Sequence, residues 1–341
     1  MSAPGSPNTT SLSFASRGNI VPRFLSPQKI LHGLVSLLCL GMAVYLLDWQ
    51  TIQHTLLRVQ PQSFGLIVGV SFCQFVVMSL RWHTLIQPIV PMPLRTHIQL
   101  YCYSIFLNTF TPANLGGDVY RVMALKPHAT SSTAVITAII QERYVGLLGF
   151  CCCYLVCWSA LLLMAPRGAL GVPHLFSIAG MVILLATAGL LLAPFVLHSL
   201  SVRGEPRLPG WCRALPQRLL SVLPQASGAH LSRLVGLSLL AVFAWVLTVQ
   251  MVAYDLGLQI SWLRLGMIVV LVELCRLVPI SIQGIGVREG AYAYLFAMIG
   301  ESSEHGFLVG TMSYLALNLS ICLAGMVGVG CWVGTKPSQI A

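Results

Sequence analysis

Charge is what this chain has least of. Of its 341 residues only 8% are Asp, Glu, Lys or Arg, and only nine are acidic, whereas an ordinary globular chain carries about 25% charged residues. So few charges cannot solvate the surface of a soluble protein this long, and a soluble globular chain is excluded. Metal-site spacing is missing as well. The eleven cysteines include no CxxC pair, and no histidine lies close to the Cys151–Cys157 group, so the ligand spacing of a zinc site is absent. The cysteines read as small polarisable packing residues, and no metal, disulfide framework or cofactor is expected. There is no HExxH, P-loop, GxSxG or strand-borne GxGxxG, and no acidic cluster that would hold magnesium for prenyl or phosphatidyl transfer. Asp48 stands alone in the first loop, where membrane glycosyltransferases carry paired acids. An enzyme is not expected. The basic residues give a net charge of +10, but they stand one or two at a time beside apolar segments, without interleaved aromatics. That pattern excludes nucleic acid as a partner and suits orientation in a membrane.

What the chain has instead is 56% hydrophobic residues, gathered into runs. Segments 30–47, 63–80, 133–164, 175–198, 231–254 and 306–333 approach or exceed the roughly 20 residues that cross a bilayer. Residues 1–29, rich in Ser, Pro and Asn, read as a disordered cytoplasmic tail;. Segment 30–47 follows as an uncleaved first span, because no small-x-small cleavage site succeeds it;. Residues 334–341 form a short cytoplasmic tail, leaving 30–333 as one transmembrane domain.

Two further apolar regions, 97–128 and 264–300, are interrupted at their centres by Pro and Gly. Counting basic residues decides how they run. The tail 1–29, the 81–96 loop with Arg81 and Arg95, and the 199–233 segment with five arginines are the basic regions, so all three are placed in the cytoplasm. If 97–128 crossed once, the arginine-rich loop (199–230 by its apolar boundaries) would face outward. A region that dips in and returns avoids this. The same treatment makes 264–300 a second hairpin from the opposite face. The expected fold is an all-α polytopic membrane protein with about six spanning helices, two oppositely directed re-entrant helical hairpins and inverted-repeat-like halves, both termini cytoplasmic.

The two interrupted regions resemble each other. "NTFTPANLGGDVYR" contains Pro112, Gly116, Gly117 and Arg121; "PISIQGIGVREG" contains Pro279, Gly284, Gly286 and Arg288. Proline ends one half-helix, and glycines allow a tight reversal with close backbone approach. The next half-helix is expected to begin inside the membrane with unpaired N–H groups that attract phosphate or carboxylate. Repeated Pro/Gly interruptions in two halves point to a binding site at the membrane midplane. Four acids and four arginines lie in or beside these segments: Asp118, Glu142, Glu273, Glu289, Arg121, Arg143, Arg276 and Arg288. An ionisable group at the bilayer centre costs roughly 2.5–3.5 kcal/mol on the lenient insertion scale, so these eight must pair, meet a ligand or line water. Asp118–Arg121 and Glu273–Arg276 are spaced as neighbours on a helix. Two readings stay open: structural ion pairs that lock the halves together, or a translocation pathway in which Arg121 and Arg288 meet an anionic headgroup. Tyr101, Tyr103, Asn108, Asn114, Gln283 and Tyr292 stand beside the hairpins as candidate lining residues.

"NTFTPANLGGDVYR", "ERYVGLLG" and "PISIQGIGVREGAYAYLF", in this order, resemble marker segments of the lysylphosphatidylglycerol synthase transmembrane region family, over roughly residues 30–333. The resemblance implies a flippase-like membrane protein of the bacterial or archaeal cytoplasmic membrane. Asp118, Arg121, Glu142, Arg143, Arg288 and Glu289 match the family's polar markers. The chain ends at Ala341, so the synthase domain that some members carry, and with it lysyl transfer, is not expected. The expected function is translocation of a phospholipid, glycolipid or polyprenyl-linked anionic lipid, with membrane lipids as partners. The alternatives are an ion-coupled transporter of a small anionic solute, or a non-transporting partner of a glycosyltransferase or lipid-modifying enzyme.

Overall fold

The computed structural model describes residues 60–109, 111, 115–129, 131–164, 174–203, 228–277 and 281–332. The expected first span 30–47 and both hairpin prolines, Pro112 and Pro279, lie outside the described residues.

The described residues form helices and no strand. In chain order these are α1 (Pro61–Ile86), α2 (Leu94–Thr109), α3 (Gly116–Leu125), α4 (Ser132–Met164), α5 (His174–Arg203), α6 (Gly228–Asp255), α7 (Trp262–Arg276), α8 (Val287–Met298) and α9 (Ser303–Trp332). Within α1, α4, α5, α6 and α9 lie five stretches long and apolar enough to cross a membrane. The protein is an integral membrane protein of the polytopic all-α class. The remaining four helices are too short to cross. At 1.5 Å per residue, α2 and α7 reach about 22–24 Å and α3 and α8 about 15–18 Å, against about 30 Å of hydrocarbon.

Those four helices form two hairpins. Tyr103 of α2 meets Tyr120 of α3 at 4.9 Å between ring centroids, and the Asn108 side chain reaches Gly117. The two helices therefore run antiparallel. In the second pair, Gly284 lies against the Arg276 side chain, and Glu273 lies within electrostatic reach of Tyr292, so α7 and α8 fold back likewise.

Helix α9 shows how the hairpins are directed. Its Gly328 and Gly325 pack against Tyr103 and Phe106 of α2, while its Gly310 and Gly306 pack against Tyr292 of α8. Gly306 and Gly328 are about 33 Å apart along a helix rising 1.5 Å per residue. One hairpin thus lies along the C-terminal half of α9 and the other along the N-terminal half. Helix α4 repeats the arrangement. Its Glu142 and Arg143 meet α3, and its Cys157 meets Gly266 of α7. The hairpins enter from opposite ends, and their tips meet: the Gln283 side chain donates to the Asn108 carbonyl at 3.0 Å.

Packing repeats between the halves. Helices α1 and α6 face each other; α4 on α6 corresponds to α9 on α1, and α2 on α9 to α7 on α4. The contacts α1–α2, α3–α4 and α1–α4 are matched by α6–α7, α8–α9 and α6–α9. This is the pattern of two structural repeats inserted in opposite senses. The apolar core lies mainly between α4, α6, α7, α8 and α9, around Tyr154, Trp245, Val249, Ile268, Tyr292 and Phe296.

Candidate functional site

Charge along the first hairpin is organised as one chain of five side chains. Arg121 donates through Nη1 to Glu142 Oε2 at 2.6 Å and through Nη2 to Asp118 Oδ1 at 2.5 Å. The other Asp118 oxygen accepts from Arg143, through Nε at 3.2 Å and through Nη2. The other Glu142 oxygen accepts from Arg81 Nη2 at 3.4 Å, and Arg81 Nη1 donates to Ser238 Oγ at 3.0 Å. Aromatic rings close the site around Arg121, whose guanidinium lies 4.4 Å from the Trp82 ring and 5.2 Å from that of Tyr101. The chain ties α3 to α1, α4 and α6. Alternation of sign lets each buried charge find a partner, the condition for keeping ions in a low dielectric.

Arg81 corrects the sequence reading, which counted it as a loop charge in 81–96. The structure places it within α1, buried. The helix continues past the apolar run to Ile86, so Arg81 falls on the inward face that also carries Gln74. Orientation counting in that loop then rests on Arg95.

At both half-helix N-termini some of the first N–H groups are taken up by side chains of this protein. In the first hairpin, Gly116 N–H donates to Thr111 Oγ1 at 2.8 Å and Gly117 N–H to Asn108 Oδ1 at 2.7 Å. In the second, Gly286 N–H donates to Glu289 Oε2 at 2.7 Å. A donor left unpaired away from water is expensive; side chains meet two such donors at the first helix start and one at the second.

The glycines differ in role. Gly116 and Gly117 are the first residues of α3, and a Cβ on Gly117 would lie 1.9 Å from the Ser104 carbonyl oxygen. They permit close approach of α3 to α2. Gly284 and Gly286 have φ of 76° and 81° and make the reversal itself. Just before them, Gln283 begins the same turn with φ 57°, a conformation that residues other than glycine rarely adopt.

The second hairpin treats its arginine differently. Arg288, 1% exposed, lays its guanidinium 3.6 Å from the Tyr314 ring of α9. Nη2 donates to the Gln283 carbonyl at 3.2 Å. Its nearest carboxylate, Glu289, is 3.9 Å away. Among the described residues, Nε and Nη1 have no hydrogen-bond partner, and neither do the buried hydroxyls of Tyr292 and Ser281. Arg276 is held by Glu273 at 2.8 Å. The eight sequence-selected charges therefore divide into a four-member set at the first hairpin, joined by Arg81, and a four-member set at the second. Sequence reasoning missed Arg81, Ser238, Trp82 and Tyr314. Only Arg81 left a signal, the helical period that continues from Gln74.

The family description "Lysylphosphatidylglycerol synthase TM region" matches residues 29–325, and the chain belongs to that family. The match is to a transmembrane region, not a catalytic domain. A comparison with curated proteins finds no match.

Proposed function

We propose that this protein moves an anionic lipid, a phospholipid, glycolipid or polyprenyl-linked lipid, between membrane leaflets. The headgroup passes along the seam where the hairpin tips meet, while the acyl chains remain in the bilayer. The observation that supports this is the tip-to-tip contact of Gln283 with Asn108 between hairpins of opposite direction. Withdrawing either tip would open the seam towards one side, which is the basis of alternating access in inverted-repeat transporters. Membership of a transmembrane-region family and five apolar helices of spanning length agree with the reading. The basic tail 1–29 and the arginines of 199–233 support a reading with both termini cytoplasmic.

The test is reconstitution into vesicles that carry a fluorescent anionic phospholipid in both leaflets. A membrane-impermeant reductant quenches only the outer pool. Translocation makes the whole pool quenchable, in proportion to the protein added. A plateau equal to that of protein-free vesicles, with protein correctly inserted, refutes the proposal. Uptake of a soluble anion without lipid movement would instead support a solute transporter.

A further inference from the structure

We infer that the tip of the second hairpin is a phosphate-group subsite formed by Arg288, Tyr292 and Ser281. It deepens the lipid-translocation reading, on which it rests for the source of the phosphate.

The first observation is unused donor capacity. Arg288 is 1% exposed, yet Nε and Nη1 lack partners among the described residues. The Tyr292 hydroxyl, one helical turn further along α8, and the Ser281 hydroxyl, in the turn that precedes α8, are also buried and unpartnered. Buried polar groups are ordinarily satisfied, and each exception calls for an explanation. Unpartnered groups occur elsewhere too, Arg121 Nε among them, but Arg288 alone among the described arginines leaves two buried donors unpartnered, and Tyr292 and Ser281 belong to the same hairpin.

The second observation is that, among the described residues, no carboxylate accepts a hydrogen bond from this arginine, and its one ion pair, with Glu289, is long. Glu273 lies closer to Arg276, at 2.8 Å. Glu289 spends Oε2 on the Gly286 N–H and stands 3.9 Å from Arg288 through Oε1. The other charged neighbour, Arg276, repels rather than pairs. Arg121 at the first hairpin has two carboxylates, so the two arginines are not equivalent. A guanidinium with two uncommitted N–H groups, Nε and Nη1, suits an oxyanion, and the hydroxyls of Tyr292 and Ser281 on the same hairpin suit one with more oxygens than a carboxylate offers. That chemistry is phosphate, in a lipid headgroup or as the free ion.

Occupancy would also act on the seam. The bond from Arg288 Nη2 to the Gln283 carbonyl is long for its kind, at 3.2 Å. A phosphate oxygen makes a shorter, charge-assisted bond and competes for the same guanidinium. Gln283 is the residue whose side chain holds Asn108 of the other hairpin. Binding at Arg288 and release of the tips are thereby linked.

Titration calorimetry on the full chain in neutral-detergent micelles tests the subsite. The probes are dihexanoyl phosphatidylglycerol, inorganic phosphate and the uncharged dihexanoylglycerol. Binding of the phosphatidylglycerol and not of dihexanoylglycerol is expected. Arg288→Gln should weaken it about 10- to 100-fold, as loss of a charged hydrogen-bonding group does. Tyr292→Phe keeps the ring and should weaken it about 3- to 10-fold; with Ser281→Ala it decides the matter if Arg288→Gln fails to fold. Inorganic phosphate binding as tightly, with the same dependence on Arg288, supports the subsite but assigns it to the free ion. Absence of binding by the unaltered protein, or affinity unchanged in the variants, overturns the subsite. Binding that survives while the vesicle assay shows no lipid movement leaves the subsite standing and removes the translocation reading.

Discussion

In the first hairpin Arg121 meets Glu142 and Asp118, and through them reaches Arg81 and Arg143. In the second, Arg288 meets a carbonyl oxygen and the face of a tyrosine. The two hairpins have similar lengths and corresponding packing partners, so the contrast in charge lies in what surrounds each arginine. Glu142 of α4 pairs with Arg121, and Arg143 of α4 with Asp118, anchoring the first hairpin to a neighbouring helix. The second has its ion pairs within itself, Glu273 with Arg276 and loosely Glu289 with Arg288, and none of these reaches another helix bundle. Two repeats can thus share a fold while only one of them is tied to neighbouring helices by ion pairs.

The sharpest way to break this comparison is to remove the hub of the first hairpin. Glu142→Ala strands Arg81 and Arg121 together, and a broken buried pair costs about 3–5 kcal/mol. Denaturant unfolding in micelles should show that loss. A change below about 1 kcal/mol would mean the first hairpin is not anchored by its ions.

Glycine substitutions give the next largest effect and separate the hairpins again. Gly117→Ala forces a methyl against the Ser104 carbonyl and should cost about 1–3 kcal/mol, as overpacking does. Gly290→Ala in α8 meets nothing within 4 Å and should be neutral, or stabilising by up to about 1 kcal/mol through helix propensity. Thermal unfolding of the two variants side by side measures the difference, and equal shifts would erase it.

Gln283→Gly relieves a left-handed backbone, worth about 1 kcal/mol, while deleting the bond to Asn108. Stability should change by less than that, but spin labels on α2 and α8 should report a broader distance distribution. An unchanged distribution would show that the tip contact does not hold the hairpins together.

Arg288→Gln should have the smallest effect on stability, near zero or slightly stabilising, because it removes a buried charge that lacks full pairing. Arg121→Gln, by contrast, should cost about as much as Glu142→Ala. Comparable losses from both arginine variants would show that the second hairpin is anchored as firmly as the first.

The helical class was legible because it follows from one-dimensional hydrophobic runs. Segment 133–164 became Ser132–Met164, and 306–333 became Ser303–Trp332. The interrupted regions were legible from Pro and Gly, and the pairs Asp118–Arg121 and Glu273–Arg276 from their spacing on a helix. What could not be read depends on which helix lies next to which. Arg81 looked like a loop charge until α1 was seen to continue past it and bury it beside Ser238. The cap of Asn108 on Gly117 needs the fold-back geometry to exist at all, whereas that of Glu289 on Gly286 is local to the start of α8. The inequality of Arg121 and Arg288 is likewise tertiary, since both stand in similar sequence surroundings and differ in what α1, α4 and α9 bring to them.

The five-charge chain has one more consequence, which is electrical. Three arginines and two carboxylates leave it with a formal excess of one positive charge. A voltage does work only on charge that moves, about 2.3 kcal/mol per elementary charge per 100 mV for a full crossing. Pinned between α1, α3, α4 and α6, this excess charge has nowhere to travel. The bundle can therefore hold a cation within the membrane field without becoming a voltage sensor.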